Sequence, residues 1–132
     1  MEINGKKTVL IVEDDPSLRS LAVLYISKEY SVLEAVNATE GLKLAAEEKP
    51  DALVLDMMIP GMSGSAFLQE LQSREATRAI PVIIITAFNF TDAEIDSFKK
   101  EPNVRSLFKK PFNFGNLVKA VHQAAGESAP KP

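Results

Sequence analysis

Five short aliphatic runs alternate with stretches of helical period along this chain, and that alternation admits few architectures. The runs are Thr8-Val9-Leu10-Ile11-Val12, Ser31 to Ala35, Ala52-Leu53-Val54-Leu55, Pro81-Val82-Ile83-Ile84-Ile85 and Arg105 to Lys109. The first from Val9 onward, and the third and fourth throughout, are apolar, as strands covered on both faces tend to be, whereas the fifth carries enough charge to lie at a sheet edge. The pattern predicts an α/β fold: a parallel sheet with helices on both faces. Between the runs, Leu18, Leu21, Ala22 and Tyr25 recur at helical spacing after Asp15-Pro16, an N-cap followed by Pro at the first helical position. Asn37 with Glu40, and Thr91 with Glu94, have capping-box spacing. Phe67, Leu68 and Leu71 mark a helix after Gly64, and Ile95 and Phe98 face inward from a short one. Phe114, Leu117, Val118, Val121 and Ala125 form the last stripe, expected to stop at Gly126.

At 132 residues with 45% hydrophobic content, the chain suits one domain. We expect it over 1–126, with 127–132 a disordered tail or the start of a linker. A formal net charge of −3 and a pI near 5.2 give no broad basic field, so neither direct nucleic-acid binding nor an anionic membrane is expected. Proteins are the expected partners. No cysteine is present, which suits a reducing, cytoplasmic location, and no apolar run approaches the ~20 residues of a membrane span.

In such a sheet all strands end on one side, so Glu13 and Asp14, Asp56, Thr86 and Lys110 converge just beyond the first, third, fourth and fifth strands. Three carboxylates crowded in a partly desolvated cleft require positive charge between them. Mg²⁺ (or Mn²⁺) fits, since Mg²⁺ takes about six oxygen ligands and commonly combines one or two carboxylates with phosphate oxygens. Asp14 and Asp56 would hold it directly, Glu13 directly or through water. A carboxylate beside a cation, a Lys ammonium and a Thr hydroxyl is a phosphoryl acceptor, with Asp56 the attacking group and Thr86 and Lys110 contacting the phosphoryl oxygens.

Taken together, Glu13-Asp14, Asp56 with Pro60 and Gly64, Thr86-Ala87 and Lys110-Pro111-Phe112 resemble the response regulator receiver domains of two-component signalling, the CheY-like family. The resemblance implies a doubly wound, flavodoxin-like (βα)5 three-layer sandwich with five parallel strands in order 2-1-3-4-5. It implies phosphorylation of Asp56, with Glu13 and Asp14 as the acidic pair and the Met58 backbone carbonyl as a further Mg²⁺ ligand. The implied donor is a phosphohistidine on a sensor histidine kinase or histidine phosphotransfer protein, and the output a contact with a downstream protein, as a monomer or a phosphorylation-dependent dimer. The resemblance thus implies a signalling module rather than a turnover enzyme.

The chain departs from the family at the switch. Leu107 stands three residues before the Lys, where an aromatic is usual, so the ring motion that relays phosphorylation cannot be repeated as such; a rotamer change of Leu107 itself, or Phe108 or Phe88, is left to take part. Phe88 and Phe90, in the loop after Thr86, are expected to form a partner-binding patch. Met58 and Phe88, two beyond Asp56 and Thr86, are expected to hinder an attacking water. His122 reads as a surface residue. Three rival readings exist, of which a flavodoxin-like or dinucleotide binder lacks support because the first βα turn, Glu13-Asp14-Asp15-Pro16, has no G-x-G-x-x-G or P-loop sequence. A haloacid-dehalogenase-type phosphatase also forms an aspartyl phosphate, but it needs an Asp where Met58 stands. A docking-type receiver acting without phosphorylation is kept open by Leu107.

Overall fold

The computed structural model describes residues 6–87 and 89–128. Five strands, β1 (Thr8–Val12), β2 (Ser31–Ala35), β3 (Ala52–Asp56), β4 (Val82–Thr86) and β5 (Val104–Lys109), alternate with five helices, α1 (Pro16–Ile26), α2 (Ala38–Glu48), α3 (Gly64–Ser73), α4 (Asp92–Lys99) and α5 (Phe114–Ser128). The strands form one parallel sheet in order β2-β1-β3-β4-β5. β1, β3 and β4 are buried throughout, while β2 and the charged β5 take the two edges.

Strand alternation splits the core into two layers. Leu10, Val12, Leu53, Leu55, Val82 and Ile84 pack against Leu42 of α2, Phe67, Leu68 and Leu71 of α3, and Phe98 of α4. Val9, Ile11, Val54, Ile83 and Ile85 pack against Ala22 and Ile26 of α1 and Leu117, Val121 and Ala124 of α5. The result is a three-layer α/β/α sandwich. Phe67 is wholly buried; truncating such a side chain to Ala costs about 3–5 kcal/mol.

Caps fix where the helices start. The Asp15 side chain accepts from Ser17 N, with Pro16 opening α1. Thr91 and Glu94 form a full capping box on α4. The other box is only half made. Asn37 accepts from Glu40 N at 2.8 Å, but the Glu40 carboxylate reaches past the cap to accept from Val36 N at 3.0 Å.

Two expectations are corrected. The α1 stripe does not run through Leu21 and Tyr25, which are exposed. Ala22 and Ile26 face the core instead, and Tyr25 stacks on Phe114 at 5.2 Å. Gly126 does not end α5, which continues to Ser128, so the expected boundary at 126 falls inside a helix. A glycine stops a helix only by taking a left-handed conformation, and Gly126 is not among the positive-φ residues. Residues 129–132 lie outside the described residues. His122 is half exposed but held: the Tyr30 hydroxyl lies 2.9 Å from Nδ1 and the Glu29 carboxylate 2.8 Å from Nε2. Among the described residues no helix is long and apolar enough to cross a membrane.

Candidate functional site

Register delivers the site. Val12 pairs with both Ala35 and Leu55, so Glu13 leaves β1 beside the end of β3, its N–H donating to Ala35 O at 3.0 Å. Asp56, the last residue of β3, pairs with Ile85, and Thr86 ends β4 one position further. Thr86 pairs with Lys109, and Lys110 N donates to Thr86 O at 2.8 Å, carrying the ladder one step beyond β5. Lys110-Pro111 is a cis peptide bond.

These exits gather the sequence-predicted residues. Glu13, Asp14 and Asp56 each present a carboxylate oxygen within 4.8 Å of the others. Lys110 Nζ bridges two of them, donating to Asp56 Oδ2 at 2.9 Å and to Glu13 Oε1 at 3.0 Å. The remaining oxygens of that pair are met by backbone. Met58 N donates to Asp56 Oδ1 at 2.9 Å, closing an Asx turn, and Asp15 N donates to Glu13 Oε2 at 3.0 Å. Asp14 stands at the open side, exposed. Thr86 is buried at the adjoining strand end, whereas the Met58 side chain is 53% exposed over the turn.

The turn after Asp56 is shaped by two glycines. Gly61 has φ +105°, a left-handed value that disfavours any other residue. Gly64 opens α3 against Met57, donating to Met57 O at 3.1 Å; a Cβ there would lie 2.4 Å from Met57 Sδ and 2.8 Å from Met57 Cα. No rotamer of Met57 removes the backbone clash, so the turn that aims Met58 N at Asp56 favours glycine.

Electrostatically the cluster is short of positive charge. Glu13 is fully buried, and burial, followed by the hydrogen-bonding proximity of Asp56, pushes its carboxyl from 4.5 up to about 7, against the opposing pull of Asp15 N–H and Lys110. Burial alone would lower the Lys110 pKa, but its bonds to Asp56 and Glu13 prevail and raise it, so the ammonium stays charged. Among the described residues one ammonium, bonded to two of the three acids, meets the cluster. A hard divalent cation suits this donor set, which is oxygen-only and under-neutralised.

The residues expected to act in switching lie elsewhere. Leu107 pairs with Ile84 and is half-buried against the core layer of α2, α3 and α4. Phe90 joins the same layer and meets Phe98 edge-on at 4.8 Å, so packing accounts for part of a side chain expected to serve a partner patch. Phe88 lies outside the described residues. Two participants escaped the sequence reading: the backbone N–H groups of Asp15 and Met58, and Arg19, whose guanidinium donates to the carbonyls of both acidic-pair residues. Carboxylates two residues before an available N–H signal the former; nothing local signals Arg19.

Comparison with known proteins agrees with this geometry. The model of the response regulator receiver domain matches residues 9–122. Protein PilH of Pseudomonas aeruginosa is 34% identical over 86% of this chain and 93% of its own length. Sporulation initiation phosphotransferase F of Bacillus subtilis is 35% identical over 86% of this chain and 89% of its own. Other curated relatives are longer, and the chain spans 53% of one and 8% of another. The fold matches the crystal structure of a CheY-like response regulator receiver domain protein from Methanospirillum hungatei JF-1, with TM-score 0.83 and 22% identity over 94% of this chain and 97% of that one. Strand order, acidic cluster and sequence kinship lead to one conclusion: the chain belongs to the response regulator receiver domain family of two-component signalling.

Proposed function

We propose that Asp56 accepts a phosphoryl group from a phosphohistidine on a sensor kinase or histidine phosphotransfer protein, with Mg²⁺ (or Mn²⁺) bound by Asp14, Asp56 and Glu13 and by the Met58 carbonyl. The observation that carries this reading is the Lys110 ammonium bridging Asp56 and Glu13 at the mouth of a cluster with uncompensated negative charge. In the transfer an Asp56 oxygen attacks phosphorus, the P–N bond of the donor breaks, and the departing imidazole takes one proton from water. The bound cation supplies charge neutralisation for the phosphoryl oxygens.

The protein's own groups do the rest. Met58 N–H holds one Asp56 oxygen in place. Lys110, tethered to the end of β4 through its own N–H, turns its ammonium from the carboxylate to a phosphoryl oxygen. Thr86, at the neighbouring strand end, donates its hydroxyl proton to another. The bulk of Met58 over the turn slows attack by water and prolongs the phosphorylated state. Movement of Thr86 then passes to Leu107 and Phe90 on the β4–β5 side, where a downstream protein reads it.

Intact-mass analysis after acetyl phosphate plus Mg²⁺ tests the proposal. Wild type should gain one phosphoryl group and Asp56→Asn none. Equal gain by both, or steady multiple turnover of a phosphomonoester, would overturn it, the latter in favour of a phosphatase.

A further inference from the structure

The three acids are not held alike. Both oxygens of Asp56 and both of Glu13 accept bonds, from Lys110, Met58 N and Asp15 N. Among the described residues the Asp14 carboxylate accepts none, so what places it in the cluster is the backbone position from which its Cβ departs. Besides the backbone bonds of Glu13 N to Ala35 O and Arg19 N to Asp15 O, one side chain clamps its carbonyls. Arg19, one turn into α1, donates from Nη1 to Glu13 O at 3.0 Å and to Asp14 O at 3.4 Å. Its Nε donates to Glu34 Oε1 at 3.0 Å, so β2 braces the guanidinium while the guanidinium braces the turn. The Arg19 side chain is 19% exposed, which limits its freedom to leave.

We propose that Arg19, braced by Glu34, is the positioning residue for the Asp14 carboxylate and thereby sets the affinity of the site for a divalent cation. The inference rests on the reading of this cluster as a cation site. It has an unusual sign. Arg19 is itself positive, so if it acted through charge alone, removing it would strengthen cation binding. Acting through position, its removal must weaken binding. Groups that orient metal ligands typically contribute roughly 10-fold to 100-fold in affinity.

Calorimetric titration of the full chain with MgCl₂ separates the alternatives. Arg19→Ala should weaken Mg²⁺ binding at least about tenfold, with unchanged circular dichroism. Arg19→Lys, whose single ammonium cannot reach both carbonyls and Glu34 in one plane, should recover only part of the loss. Glu34→Ala should weaken binding roughly twofold to fivefold, as fits a half-exposed ion pair, and should add nothing in the Arg19→Ala background. If Arg19→Ala does not fold, Glu34→Ala carries the test. Wild type that binds Mg²⁺ no more tightly than Arg19→Ala, or than Glu34→Ala in that event, overturns the inference and leaves the functional reading intact. Wild type that binds no Mg²⁺ overturns both.

Discussion

The pH dependence of stability without metal follows directly from Glu13. Its carboxyl ionises near 4.5 in the unfolded chain and at about 7 in the fold, chiefly because it is buried and secondly because Asp56 adjoins it. The folded state therefore holds a proton that the unfolded state has released. The stabilisation this gives is complete below about 4.5 and is lost as pH rises through 7. At 1.36 kcal/mol per pKa unit the ceiling is about 3 kcal/mol, and water at the open side of the site reduces the expected effect to about 1–2 kcal/mol. Lys110, whose pKa is raised, loses its contribution only in the alkaline range and does not enter this window. The perturbation is Glu13→Gln, which keeps the shape and abolishes the titration. Urea unfolding followed by circular dichroism, in a chelator at pH 5 to 8, should show the variant gaining on wild type by that amount as pH rises. A stability difference constant across the range, or one moving the other way, would refute the argument. Mg²⁺ should flatten the wild-type slope, because the cation replaces the proton.

Other outcomes are equally specific. Lys110→Met leaves two buried carboxylates facing each other without their cation, which should destabilise the metal-free chain by about 1–3 kcal/mol and slow its phosphorylation by acetyl phosphate. Gly64→Ala drives a Cβ into Met57; a loss of about 1–3 kcal/mol in urea unfolding is expected, where no loss would show that the turn yields freely. Gly126→Ala meets nothing within 4 Å inside α5 and should stabilise the chain by about 0.5–1 kcal/mol. Met58→Asn should shorten the lifetime of the phosphorylated protein, and an unchanged rate of dephosphorylation contradicts the shielding role assigned to Met58.

What was legible in the sequence is what depends on short-range pattern. β1, β3 and β4 read clearly because a strand covered on both faces is apolar except at its ends, where Thr8, Asp56 and Thr86 stand, and β5 read as an edge because Arg105 and Lys109 must reach water. The candidate site was legible because parallel strands end on one side, so five residues at four separate strand ends imply one cluster. Helix details failed where the local rule was outcompeted. Leu21 and Tyr25 have the right spacing, yet Ile26 takes the core position and Tyr25 stacks on Phe114, which is far along the chain. Glu40 finds Val36 N instead of the cap, and Gly126 stays helical. Contacts spanning elements were invisible from pattern alone. Arg19 reaches from α1 both to the acidic turn and to Glu34 in β2, and Tyr30 meets His122 across 92 residues. No periodicity encodes such pairs, because they follow from tertiary placement.

The most direct test of the whole account is to locate the phosphoryl group. After acetyl phosphate and Mg²⁺, borohydride reduction of an acyl phosphate followed by peptide mass mapping should mark Asp56 alone, with no mark when Mg²⁺ is withheld. Modification at another residue, or labelling of the Asp56→Asn chain to the wild-type extent, would contradict it.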